Sequence, residues 1–163
     1  MIGRENFTTP QWIDMQMSIK ESSRYIILSH PGFFEDLKDS FITKQVIKNF
    51  ADNANSDLID DLLDFDNYRS PIPEYARDTS EGIEPQLLRA ITNSVALLKL
   101  QDQNSALLFK DLVTKIANSV LDADKHISPA ESVAYQNILN ALEAEPEPII
   151  KEWDPKNPLA PSK

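Results

Sequence analysis

Three glycines, Gly3, Gly32 and Gly82, are all that the 163 residues contain. A chain so poor in the residue that permits left-handed turns has few means of reversing a strand tightly. Valine, a favoured strand former, occurs only five times. Apolar residues recur instead at intervals of three and four, the spacing of one face of a helix. The expectation is an all-α protein, a compact multi-helix bundle of antiparallel helices. Leu, Ile, Val and Phe number 17, 16, 5 and 7, well above the roughly 20% below which a highly charged chain stays unfolded. The length suits one helical domain over residues 1–143, followed by a proline-rich extended tail over 144–163.

Local signals place the helices. Thr9 before Pro10 reads as a cap followed by a proline at the first helical position. The helix it opens has Trp12, Ile13, Met17 and Tyr25 to Leu28 on its buried side and must stop by Pro31-Gly32. The next stretch carries Phe34, Leu37 and Phe41, then Ile42, Val46, Ile47 and Phe50, and the shift of this stripe near Ser40 suggests two helices. From Ser56 a short helix has Leu58, Ile59, Leu62 and Leu63 on one side. Residues 67–82, with two prolines and no period, read as a long ordered loop. Pro85 is expected to open a helix with Leu87, Leu88, Ile91, Val95 and Leu98 inside, broken at 102–105. The following helix buries Leu108, Phe109, Leu112, Val113, Ile116 and Val120. Ser128-Pro129-Ala130-Glu131 is a capping box with proline at the first helical position, and Tyr135, Ile138, Leu139 and Leu142 continue the stripe of the last helix. After Glu143 come prolines 146, 148, 155, 158 and 161, with Ile149, Ile150 and Trp153 as the apolar residues able to pin the start of the tail to the body.

Composition narrows the function. The net charge is −10 and the isoelectric point about 4.6, so the molecule repels phosphate backbones and nucleic acid is not an expected partner. Without cysteine there is no disulfide, thiolate metal site or thiol nucleophile. The first residues lack a signal-peptide pattern, and no apolar run approaches the roughly 20 residues needed to span a bilayer. A cytoplasmic protein with no membrane insertion is expected. No G-x-S-x-G, H-E-x-x-H or glycine-rich phosphate loop occurs, and Ser29-His30, adjacent in sequence, does not set a base against a nucleophile. His30 reads as a helix-end residue favoured by the dipole. A non-enzymatic role without an organic cofactor follows.

The segment richest in chemistry is Val120-Leu121-Asp122-Ala123-Asp124-Lys125-His126-Ile127-Ser128-Pro129-Ala130-Glu131. Laid on a twelve-residue calcium loop, Asp122, Asp124, Ser128 and Glu131 fall at oxygen-ligand positions. Val120 stands at the first ligand position, and Lys125 stands where the turn glycine belongs. The simpler reading is that Ser128 and Glu131 cap a helix reciprocally while Asp122 and Asp124 are solvated near its positive end, with His126 also in solvent. Asp78-Thr79-Ser80-Glu81-Gly82-Ile83-Glu84-Pro85 can be overlaid on this segment as a decayed earlier copy, Pro85 on Pro129.

The run from Ile116-Ala117 through Ala123-Asp124-Lys125-His126-Ile127-Ser128-Pro129-Ala130-Glu131, with a helix on each side, resembles the signature of the tellurite-resistance TerB-like proteins. Asp124, Ile127 and Glu131 stand at matching positions and Lys125 replaces the family's glycine. Over about residues 84–143 the resemblance implies an all-helical bacterial cytoplasmic protein of a tellurite or stress response. It also implies a divalent cation held by acidic residues, here Asp124 and Glu131; joined to Asp122 and Ser128 of the calcium-loop overlay, they make the candidate ligand set for calcium or magnesium. The alternative is a metal-free acidic protein-interaction module. Asp57, Asp60, Asp61 and Asp64 share one face of a short helix, opposite its leucines, and Asp66 follows. Like charges at this spacing repel by roughly 0.2–0.5 kcal/mol per pair, which a cation or a basic protein partner would relieve.

Overall fold

In a computed structural model the described residues are 2–30, 36–123 and 127–146, with the side chains of 36–41 and 123 outside that description. Among them are six α-helices and no strand: α1 (Thr9–Ser29), α2 (Asp36–Ala54), α3 (Asp57–Leu62), α4 (Ser80–Gln101), α5 (Gln103–Ala123) and α6 (Pro129–Glu143). Single 3-10 turns occur at Arg4–Asn6 and Glu74–Ala76.

The helix ends follow local chemistry, sometimes one step from the expected residue. Thr8, not Thr9, caps α1. Its hydroxyl accepts from the Gln11 amide at 3.3 Å and the Gln11 side chain accepts from the Thr8 amide at 2.8 Å. Only Thr8 has a glutamine three residues on, so only Thr8 can close a capping box. The helix ends at Ser29, before Pro31. The stretch expected as two helices is the single α2. Residues 36–54 contain neither glycine nor proline, and the helix stops where Asn55 turns to a positive φ of 50°. The loop after α3 ends at Thr79, whose hydroxyl accepts from the Gly82 amide at 3.0 Å, so α4 starts five residues before Pro85. Proline there gives up a single early backbone bond and does not break the helix. The junction of α4 and α5 is one residue, Asp102. Its amide donates to the Leu98 carbonyl, and its carboxylate accepts from the amide and hydroxyl of Ser105 at 3.2 and 2.7 Å. Those two bonds hold the Asp102 carboxyl below its usual range.

α1 is the central element. It touches α2, α3, α4, α5 and α6, and Met15, Gln16, Met17, Ser18 and Ile19 in succession are all buried. A helix with one apolar stripe cannot bury five consecutive residues, so α1 is wrapped on all sides. The polar residues among them are satisfied internally. Ser18 and Ser22 donate to the Asp14 and Ser18 carbonyls at 2.8 and 2.6 Å, and Gln16 donates to the Leu62 and Asp64 carbonyls at 3.1 and 2.8 Å. One continuous core joins α1, α4, α5 and α6, with Tyr25, Ile83, Leu87, Ile91, Phe109, Val113, Ile116 and Ile138 inside it. α1 and α4 run antiparallel, Tyr25 near the end of α1 meeting Glu84 near the start of α4 while Asp14, earlier in α1, faces Arg89. Not every neighbour is antiparallel, since Asn137 reaches Glu84 while Thr92 donates to the Ala141 carbonyl, so α6 crosses α4 with the same chain sense.

Candidate functional site

The connection between α5 and α6 carries the residues singled out as cation ligands. Asp122 is exposed in the last turn of α5. Asp124, Lys125 and His126 lie outside the described residues, and Ile127 is 49% exposed. Ser128 and Glu131 form the expected reciprocal cap. The Glu131 amide donates to the Ser128 hydroxyl at 3.1 Å, and the Glu131 Oε1 accepts from the Ser128 amide at 3.0 Å. The Glu131 side chain is buried, and the same Oε1 lies 3.5 Å from His30 Nε2 at the C-cap of α1. The cap therefore stands at a junction between the end of α1 and the start of α6. His30 was legible only as a helix end, because no local pattern links it to a carboxylate so far along the chain. The donor set of the described residues is short for a hard cation, which takes six or more oxygens. Among those residues no three His, Asp or Glu side chains converge on one point.

The overlay of 78–85 on the α5–α6 connection does not hold in space. Pro129 is the first residue of α6, whereas Pro85 lies in the second turn of α4, and the cap of α4 is Thr79.

Two buried polar clusters were not foreseen. Glu21 of α1 is 1% exposed and pairs with Arg77 Nη2 at 3.2 Å, with the Tyr68 hydroxyl donating to it at 3.4 Å. Burial, and then the Glu21 charge, push the Tyr68 hydroxyl well above the usual tyrosine range. The pair fastens the long loop before α4 to the central helix. At the crossing of α1, α4 and α6 the Tyr25 hydroxyl donates to Glu84, and Asn137 donates to both at 3.0 and 3.1 Å. Burial raises the Tyr25 hydroxyl likewise, so it stays a donor. Both clusters tie elements together, and neither sets a nucleophile against a base.

Asp57, Asp60 and Asp61 stand on α3 as the residue pattern suggested, but the helix ends at Leu62, so Asp64, expected on the same face, lies just past it. Leu58, Ile59 and Leu62 of α3 are buried, while Asp57, Asp60, Asp61, Asp64 and Asp66 are all exposed. Gln16, bonded to the carbonyls of Leu62 and Asp64, holds the C-terminal end of this helix in place. Lys20 lies 4.8 Å from the Phe65 ring beside it.

On another side of the molecule, α1, α4 and α6 enclose an open groove of about 1060 Å³. Leu88, Leu97 and Leu100 of α4 line it, Asp14 and Arg89 sit on its walls, and Leu100 is 87% exposed. Burial pushes the Asp14 carboxyl above its ordinary value, with the Arg89 charge opposing. Ala144, Glu145 and Pro146, just past α6, also line the groove.

Compared with protein-family models, curated proteins and solved structures, the chain matches none. Among the described residues no helix is long and apolar enough to cross a membrane.

Proposed function

We propose that this chain is a non-enzymatic helical protein that acts by binding, and that it presents the acidic edge of α3 to a basic protein partner. The supporting observation is the exposure of Asp57, Asp60 and Asp61 on α3 and of Asp64 and Asp66 just past it, opposite the buried Leu58, Ile59 and Leu62. Carboxylates held in fixed positions retain their mutual repulsion, and a partner carrying lysine or arginine gains by relieving it. The net charge of −10 steers such a partner from a distance. Titration with an oligolysine peptide at low and physiological salt tests the site. Asp60→Asn, Asp61→Asn and Asp64→Asn combined should weaken binding several-fold more than the equally neutralised control Glu5→Gln, Asp52→Asn and Glu74→Gln. Equal losses would mean that net charge alone attracts the peptide and that α3 is not the site.

A second reading follows the resemblance to the tellurite-resistance TerB-like proteins and makes the chain a bacterial stress-response protein. In it the α5–α6 connection holds calcium or magnesium through Asp122, Asp124, Ser128 and Glu131. The buried carboxylate of Glu131 at the base of that connection favours it. Against it, the Ser128 hydroxyl and Glu131 Oε1 are already engaged in the helix cap. An ion at about 100 times its Kd stabilises the folded state by about 2.7 kcal/mol. Millimolar calcium or magnesium should therefore raise the unfolding midpoint if Kd is well below millimolar, and Asp124→Asn should abolish the rise. Equal midpoints with and without ion in both proteins leave Ser128 and Glu131 as a cap alone.

A further inference from the structure

We infer that the groove between α1, α4 and α6 is a docking site for an amphipathic helix of a partner protein, with the helix's apolar face on Leu88, Leu97 and Leu100 and a lysine or arginine beside Asp14. The inference does not rest on the acidic-edge reading.

The free face of α4 lines the groove with two adjacent i, i+4 rows, Leu88, Thr92, Ala96 and Leu100 in one and Asn93 and Leu97 in the other. Rows of this kind, with short side chains in the middle and leucines toward the ends, receive the ridge of a second helix. Leu100 is 87% exposed, and Leu88 and Leu97 are only half-buried, so the bundle itself leaves the rows uncovered. Apolar surface of this kind is stabilised by what covers it. From Pro85 to Leu100 the floor runs about 22 Å, the length of a helix of about 15 residues. The trough is open, and its volume of about 1060 Å³ lies above the roughly 300–1,000 Å³ of small-ligand pockets. An extended peptide would find no sheet edge here, because the floor is helical and Thr92 and Asn137 already donate within the bundle. A helix satisfies its own backbone.

The sign of the partner's charge follows from Asp14. Its half-buried carboxyl is opposed only by the charge of Arg89, and burial prevails. Arg89 is exposed, so water and salt screen it, whereas a cation set directly beside the half-buried carboxylate is screened less. Glu145 on the wall adds a second negative charge, and the net charge of −10 steers a basic helix toward the molecule. A carboxylate left short of compensation costs stability in the free protein, a common mark of a surface kept for binding.

The test titrates the full-length protein with a synthetic helix of about 15 residues, leucines at i, i+3, i+4 and i+7 and lysines elsewhere, at about 0.15 M salt. A glutamate helix with the same leucines and a lysine peptide with its leucines shuffled are the controls. The lysine helix should bind several-fold more tightly than either. Asp14→Asn, which removes one charge, should weaken it more than Asp60→Asn, Asp61→Asn and Asp64→Asn combined, which remove three, with the unfolding midpoint at pH 7 unchanged or raised. Leu100→Ser, at an exposed position, should weaken it several-fold and leave the midpoint as in the wild type. Equal binding of the shuffled peptide overturns the proposal, as does a larger loss in the triple variant than in Asp14→Asn, because charge elsewhere is then the attraction. Equal binding of the glutamate helix overturns it, and so does an affinity that Leu100→Ser leaves unchanged. A dimer in sedimentation that Leu100→Ser dissociates also overturns it, because the face is then covered by a second copy.

Discussion

At Gly82 an alanine would ordinarily stabilise a helix by about 1 kcal/mol. Here the added methyl would stand 2.0 Å from the Ala76 carbonyl oxygen, and that oxygen belongs to backbone packed on the first turn of α4. Steric overlap of this kind costs roughly 1–3 kcal/mol or more, so Gly82→Ala should lower the melting temperature by several degrees. An unchanged or higher value would show that the 74–76 turn moves aside freely. Asp14 gives a pH-dependent case. Its carboxyl is raised above 3.8 by burial, against the pull of Arg89. A group with a raised folded-state pKa favours folding fully below its unfolded value, and that contribution is lost as pH rises through the folded value. Asp14→Asn should accordingly raise the midpoint at pH 7, and the gain should fade as pH falls toward 3.8. A lower midpoint at pH 7 would mean that the attraction of Arg89 outweighs the burial. The Ser128–Glu131 cap was legible at this scale because both partners lie within one turn. The approach of His30 to Glu131 was not, since it depends on where α1 ends in space.

Among the elements, α1 departs furthest from its sequence pattern. Met15-Gln16-Met17-Ser18-Ile19 alternates apolar and polar residues, a period of two that no single helix face follows, yet every one is buried. The serines fit because they return their hydroxyls to their own helix. Gln16 fits because α3 ends against it. Gln16→Ala leaves the Leu62 and Asp64 carbonyls without their donor, a loss of about 1–3 kcal/mol for the buried Leu62 carbonyl and less for the partly exposed one of Asp64. Amide hydrogen exchange should then accelerate over residues 57–66 and much less in α5. Uniform acceleration would mean that Gln16 supports the whole core and not α3 in particular. Pro85 teaches the complementary lesson. Proline near a helix start suggests the first residue, but the signal that decides is the Thr79 hydroxyl three residues from an open amide.

For the whole molecule the dominant long-range force is self-repulsion from a net charge of −10. Raising ionic strength from about 0.01 M to 0.15 M shortens the screening length from about 30 Å to 8 Å. The unfolding midpoint should rise over that interval. A fall would show that pairs such as Lys110–Glu143 and Lys115–Asp111 outweigh the repulsion.

Helical class, most of the buried faces of α3 to α6 and the cap of α6 were determined by the sequence alone, because each depends on residues no more than a few positions apart, whereas Leu63, Leu88 and Leu108, expected inside, are only half-buried. The exposure of the aspartates on α3 belongs with them, since a short helix with leucines on one side leaves its charges only the other. Tertiary structure alone decided that α1 is the centre, that Glu21 pairs with Arg77, that Asn137 joins Tyr25 and Glu84, and that three helices leave a groove where α6 ends. A buried polar side chain and a solvated one read alike in sequence. What separates them is a partner brought from a distant part of the chain, and only the packing of the helices selects that partner.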